Sequence, residues 1–374
     1  MALAPYHSSR HLPALDGLRG LAIIGVLACH FVRVPDGMNG TALGFLSQAA
    51  SLGWLGVDLF FVLSGFLITG ILVDSKEHPG YFRNFYARRV LRIFPLYYAY
   101  ILGLLALVLA HRTLAGANPT TDQFVRDVRW ALPYLTNVQM ALHNGNVSTP
   151  LNHFWSLCIE EQFYLLWPAV VWLTSRRQLA AISLALIVAA AALRHGLIEA
   201  GYTEAAFNLM PCRGDSLATG ALLALAVRQP AALTSLRQIP RAVLLLPLMF
   251  IPPGVIQATG LPGSLHLSLA ALAFGALLLF AVTSPDGSSA ARFFTSGFLR
   301  TFGKYSYALY VFNQMVAFFP GNVKVHEKLV ALTSSPSIAL VLFAAGGVGI
   351  SFLLAWASWH LMEKHFLRLK SRFA

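Results

Sequence analysis

The sequence predicts an all-α membrane protein, a polytopic chain of about ten transmembrane helices with both termini in the cytoplasm. Three observations predict it. Of 374 residues, 57% are hydrophobic and only 11% are charged, whereas a soluble domain carries about a quarter charged residues. The apolar residues gather in runs of about 20, the length that crosses a hydrocarbon core about 30 Å thick. With the N-terminus inside, 18 of the 27 lysines and arginines fall in inner segments and 7 in outer ones, the bias expected of cytoplasmic loops. This spread between spans also accounts for the net charge of +12 without a nucleic-acid partner.

The spans are placed at 13–33, 53–74, 93–111, 154–174, 178–194, 211–227, 242–258, 265–284, 303–320 and 337–361, within a single membrane-embedded domain over 10–365. Residues 366–374 form a basic cytoplasmic tail. The first run carries Asp16 and Arg19 and lacks a small-residue cleavage site. It is therefore a retained span and not a signal peptide. The run at 178–194 is short and Ala-rich. Between Arg112 and His153 a modest amphipathic pattern, Phe124 to Met140, is expected to lie at the interface or fold back over a cavity. Cys29, Cys158 and Cys212 fall within spans at no metal-ligand spacing, so neither a disulfide framework nor a zinc site is expected and packing is their role. No internal repeat points to an inverted-repeat transporter.

Ionisable residues within such spans mark function by default. Arg19 and His30 are eleven positions apart in LDGLRGLAIIGVLACHF, on one helical face and separated by roughly 16 Å along the axis. In the second span Asp58 either pairs with a cation or meets interfacial water, and Ser64-Gly65 permits close helix approach. The segment FRNFYARRVLRIFPLYY sets Arg89 and Arg92 at i, i+3, with Arg88 at i, i+4 to Arg92. Such guanidiniums bind either phosphates of a nucleotide-bearing molecule or anionic lipid headgroups. In NHFWSLCIEEQFYLLWP, His153, Trp155, Ser156, Glu160 and Glu161 cluster on about three turns. At least one of the two adjacent carboxylates must face a cavity, where it suits proton transfer or the orientation of a histidine. Arg213 and Asp215, at i, i+2 and similar depth, either compensate each other or contact substrate. Tyr307 and Tyr310 share a face and serve as sugar-binding hydroxyls or as belt aromatics.

Together these stretches resemble the acyltransferase-3 family of integral membrane acyltransferases. The resemblance runs through Asp16-Gly-Leu-Arg-Gly20 with Arg19, ten residues and His30, through Arg89-Val-Leu-Arg92, and through Trp155-Ser156-Leu157 and Glu160-Glu161-Gln162-Phe163-Tyr164. It continues to Arg213-x-Asp215 with Gly220 and Ser306-Tyr307 with Tyr310. It implies an enzyme in the cell membrane that passes an acyl group, commonly acetyl, from cytoplasmic acyl-CoA to a hydroxyl of a glycan, glycolipid or similar envelope acceptor. No permanently bound cofactor is implied. His30 would be the general base or a transient acyl carrier, and Arg19 would position the donor. Arg88, Arg89 and Arg92 would hold CoA phosphates, and Glu160 or Glu161 would tune the histidine or the acceptor. Asp58, His153, Trp155, Ser156, Arg213, Asp215, Tyr307 and Tyr310 would contact the acceptor. Asn313 stands where many members have histidine, Cys158 where a small hydroxyl or alanine is common, and His365 where proline is usual. The likeness is to members without a fused extracytoplasmic esterase-like domain. The second reading is a secondary transporter or lipid-linked sugar flippase, with Asp58, Glu160, Glu161 and Arg213 as its path; a sensor that only binds is a third.

Overall fold

The computed structural model describes residues 12–32, 41–250, 262–318 and 322–373, and every element among them is helical. The long helices are α1 (Pro13–Phe31), α2 (Gly56–Ser75), α3 (Tyr81–Ala115), α4 (Trp155–Leu173), α5 (Arg176–Glu199), α6 (Gly214–Ala226), α7 (His266–Thr283), α8 (Gly297–Ala317) and α9 (Pro336–Ser358). Six helical runs among the described residues are long and apolar enough to cross a membrane, and a seventh is reached when the pair Met210–Ala226 and Pro230–Gln238, bent by 109°, is counted as one span. Of the ten spans expected, 242–258 falls partly outside the described residues; its described part is the short helix Arg241–Leu245 and a tight turn, Leu246–Phe250. The other two, α4 and α8, are long enough at about 28 and 32 Å. Their apolar average is lowered by Glu160 and Glu161 in one and Arg300 and Lys304 in the other.

Small residues decide how these helices meet. Gly17 and Gly20 of α1 lie directly against the backbone carbonyls of Phe294 and Leu299, and Gly303 of α8 against that of Asp16. A β-carbon at any of the three would be driven into carbonyl oxygen, so only glycine permits this approach. A second seam joins α2 to α6, where Gly65 meets the carbonyl of Leu217 and Gly220 that of Val62. The small-residue role expected of Ser64-Gly65 is thus realised at Gly65, while Ser64 faces a cavity. The helices α1, α2, α3, α4 and α8 surround that cavity. Helices α5, α6 and α7 form a layer behind α2, and α9 flanks α8. Outward faces are apolar, as at Leu107, Leu173, Val188 and Leu353.

The amphipathic stretch folds back rather than lying flat. It forms the helices Pro119–Ala131 and Thr136–Leu142. Tyr97 and Tyr98 of α3 donate to the carbonyls of Ala131 and Leu132, and Gln162 of α4 donates to Asn137 and to the Tyr134 carbonyl. Buried aromatic and amide side chains hold it down over the bundle.

Candidate functional site

The basic segment before the third span forms the first turns of α3, and its helical phase sorts the three arginines. Arg89 and Arg92 turn inward and line a cavity together with Arg19 of α1. Arg88, 100° away, lines a separate cavity toward the start of α3. The Arg89 guanidinium lies 5.8 and 5.9 Å from the ring centres of Phe85 and Tyr164. Asp16 sits 3.4 Å from Arg19, a loose pair that leaves the cationic character of this end intact. Arg19 of α1 and Arg89 and Arg92 of α3 thus meet at one cavity, while the seam at Gly17 and Gly20 holds α1 against α8 and the short helix before it.

The inner cavity, ≈ 760 Å³ when the space open to solvent is counted, runs from these cations to Ser156 and Tyr310. Of the adjacent carboxylates, Glu160 lines it and Glu161 does not. Tyr164 donates to Ser64 at 2.9 Å, and Ser64 donates to Glu160, which fixes that carboxylate halfway along the wall. Glu161 is turned toward α3, with Oε1 buried and lacking a hydrogen-bond partner. Tyr307 lines the cavity too, but its hydroxyl is committed to the Ile93 carbonyl at 2.7 Å.

At the other end the hydroxyls form a directed chain. Tyr310 has one proton and donates it to the His153 carbonyl at 2.6 Å. Ser156, 2.6 Å from the Tyr310 oxygen, must therefore donate to it. Both Ser156 lone pairs remain acceptors at the cavity wall. His153 itself is buried and packs against Phe154 and Tyr310. Its ring nitrogens make no hydrogen bond of ordinary geometry, and burial, with His30 nearby, holds the imidazole down to about 3. It is a buried ring behind Ser156 and Tyr310, held toward the neutral form.

His30 does not line this cavity. It lies beyond its outer end, one turn along α8 from Tyr310, with Nδ1 against Oδ1 of Asn313. The Asn313 amide nitrogen donates to the carbonyls of Leu309 at 3.0 Å and Tyr310 at 2.6 Å, so its oxygen faces the imidazole. An oxygen accepts, so Nδ1 of His30 carries a proton, and in the neutral ring the lone pair is then on Nε2. Asn313 was singled out in the sequence only as a departure; its i+3 spacing from Tyr310 is the signal that would have found it.

Asp58, Trp155, Arg213 and Asp215 stand together behind the cavity rather than on it. Arg213 pairs with Asp58 at 2.8 Å, Ser216 donates to the same carboxylate, and the guanidinium lies 5.3 Å from Trp155 and 5.7 Å from Phe61. Asp215 pairs instead with Arg194 of α5 at 2.7 Å. Arg213 and Asp215 are thus neutralised by different partners and not by each other, because at i, i+2 they point about 200° apart. Phe61 does line the cavity, so this closed network backs one of its walls.

The family model described as an acyltransferase domain matches residues 12–357. The chain is similar to the O-acetyltransferase OatA of Staphylococcus aureus, 37% identical over 176 residues, which are 45% of this chain and 26% of that protein. It is similar to a putative peptidoglycan O-acetyltransferase, YrhL, of Bacillus subtilis, 35% identical over 215 residues, 52% of this chain and 30% of that one. A peptidoglycan O-acetyltransferase, OatA, of Listeria monocytogenes is 34% identical over 171 residues, 44% and 24%. The matches cover less than a third of each relative's length. No solved structure matches the chain.

Proposed function

We propose, on the premise that this chain belongs to the acyltransferase-3 family, that it moves an acetyl group from cytoplasmic acetyl-CoA to a hydroxyl of a cell-envelope glycan. The relatives' names carry the glycan class: two of them are described as acting on peptidoglycan. One observation supports the route above all: a single cavity has Arg19, Arg89 and Arg92 at one end and the Ser156–Tyr310 hydroxyl pair at the other. Cations at the inner end suit the phosphates of the donor, which belong in water. The pantetheine arm then enters the cavity along Ser64 and Glu160 and brings the thioester toward the outer end.

In this mechanism Nε2 of His30 takes the proton of the acceptor hydroxyl as its oxygen attacks the thioester carbonyl. The new carbon–oxygen bond forms, the carbon–sulfur bond breaks, and the CoA thiolate recovers the proton from the imidazolium. Ser156 accepts a hydrogen bond from the glycan and Asn313 holds the base. Glu160 offsets the cations while the donor is absent. Arg19 and His30 lie roughly 16 Å apart on α1, so one anchors the donor and the other acts on the acceptor. In the same reading α4 and α8 cross the membrane, ten spans in all, in one domain over 10–365, and the cytoplasmic termini follow from the 18-to-7 charge bias.

The test is transfer of label from acetyl-CoA to a peptidoglycan-derived oligosaccharide by the purified chain in nanodiscs. Transfer should be lost in His30→Ala while binding of CoA is retained. Undiminished transfer in that variant would remove His30 from the mechanism, and wild-type protein that does not bind CoA would overturn the donor.

A further inference from the structure

The run Pro336–Phe373 has 38 residues, about 57 Å if straight, nearly twice a hydrocarbon core of about 30 Å. Its apolar part ends with α9 at Ser358. The helix then passes through a π-turn over Trp359–Glu363, a single wide turn within the run. The helix Lys364–Arg368 and the tight turn Leu369–Phe373 pack back on α3. This brings Glu363 to a small pocket with Arg19 and Arg92, and Lys370 to a larger cavity of ≈ 1430 Å³ with Arg88 and Arg89.

Lys370, Arg88 and Arg89 face one space whose lining also includes His78 and, among the described residues, no acidic side chain. The Nε atoms of Arg88 and Arg89 are buried without a hydrogen-bond partner. Burial and the nearby guanidiniums of Arg92, Arg89, Arg88 and Arg19 hold the Lys370 ammonium down to about 7. Cations so gathered from two separate segments repel one another until a multiply charged anion joins them. Arg89 also lines the inner cavity, so the two spaces share a wall.

We infer that Lys370 is a ligand for the phosphates of the acyl donor, completing with Arg88 and Arg89 a two-sided clamp across the mouth of the cavity. This rests on the acyl-CoA reading above. The segment after α9 then does more than follow the last span: it supplies the face opposite α3.

The experiment measures KM and kcat for acetyl-CoA and for acetyl-dephospho-CoA, which lacks the 3′-phosphate, with the full chain in phosphatidylcholine nanodiscs. Loss of one charge-assisted hydrogen bond predicts that Lys370→Ala raises KM for acetyl-CoA by about tenfold or more. Its kcat should stay within about twofold, and the preference for acetyl-CoA over the dephospho donor should narrow. Lys370→Arg should restore both. Unchanged KM in Lys370→Ala would overturn the proposal while leaving acetyl-CoA as donor. So would a defect that Lys370→Arg does not repair, or one seen only with phosphatidylglycerol, which would make a lipid headgroup the ligand. Wild-type protein that ignores acetyl-CoA would overturn both readings.

Discussion

Replacing Asn313 with leucine separates the orientation of His30 from its presence. Asn313 is fully buried, and leucine keeps its branching and number of heavy atoms while removing its polarity. The two bonds from its amide nitrogen end on Leu309 and Tyr310 carbonyls that remain within the α8 ladder, so removing them orphans no carbonyl. The substitution therefore acts chiefly on the imidazole, which loses the acceptor for Nδ1–H and with it the constraint that keeps the lone pair on Nε2. Positioned general-base catalysis contributes ~10²–10⁴-fold. Losing the alignment and tautomer but not the base should cost about 10- to 100-fold in kcat/KM, or ~1.4–2.8 kcal/mol of transition-state stabilisation. The assay is acetyl transfer in the four members of a cycle: wild type, Asn313→Leu, His30→Ala and the double variant. If Asn313 works through His30, Asn313→Leu should change nothing once His30 is absent. An additive double variant, or a single variant within twofold of wild type, would refute the reasoning.

Three further outcomes follow from packing and charge. Gly20→Ala drives a methyl into the Leu299 carbonyl and should destabilise by ~1–3 kcal/mol, whereas Gly196→Ala, with open space around it, should be neutral or stabilising by up to ~1 kcal/mol; thermal melts in detergent compare the two. Asp58→Asn strands the Arg213 cation at 0% exposure and should cost ~3–5 kcal/mol, much of it recovered when Arg213→Met is added; a single variant as stable as wild type would contradict this. His153 is buried as a neutral ring with its imidazole held down to about 3, while the unfolded chain takes up that proton below about 6.5. Stability should then fall as pH drops from 6.5 toward 3, by up to ~1.4 kcal/mol per pH unit from this group, and His153→Phe should flatten the slope of melting temperature against pH.

The sequence reveals which helices carry chemistry because an ionisable residue in an apolar run has few tolerable explanations. Arg19, Arg89 and Arg92 were legible as a set: helical phase and topology together bring them to one side and one depth. Glu160 and Glu161 were legible as a pair but not as individuals, since adjacent residues point about 100° apart and only the neighbours of α4 decide which meets the cavity. Asp58 was left between a cation and water, and its partner lies 155 positions away, a separation that no local spacing encodes. Arg194 sat at the edge of the expected fifth span; the actual helix continues to Glu199 and buries it against Asp215. Lys370 was read as one charge in a basic tail, because nothing in its local composition encodes the packing of this segment on α3.

The glycine seams bear on how the molecule can move. Where α1 touches α8 and α2 touches α6 through backbone atoms, no side chain lies between them to change rotamer and let them slide. Each pair is held together by backbone packing and is expected to move as one unit. Alternating access would require one of those pairs to rock or split, whereas group transfer needs only that two reactants reach the same passage from opposite mouths.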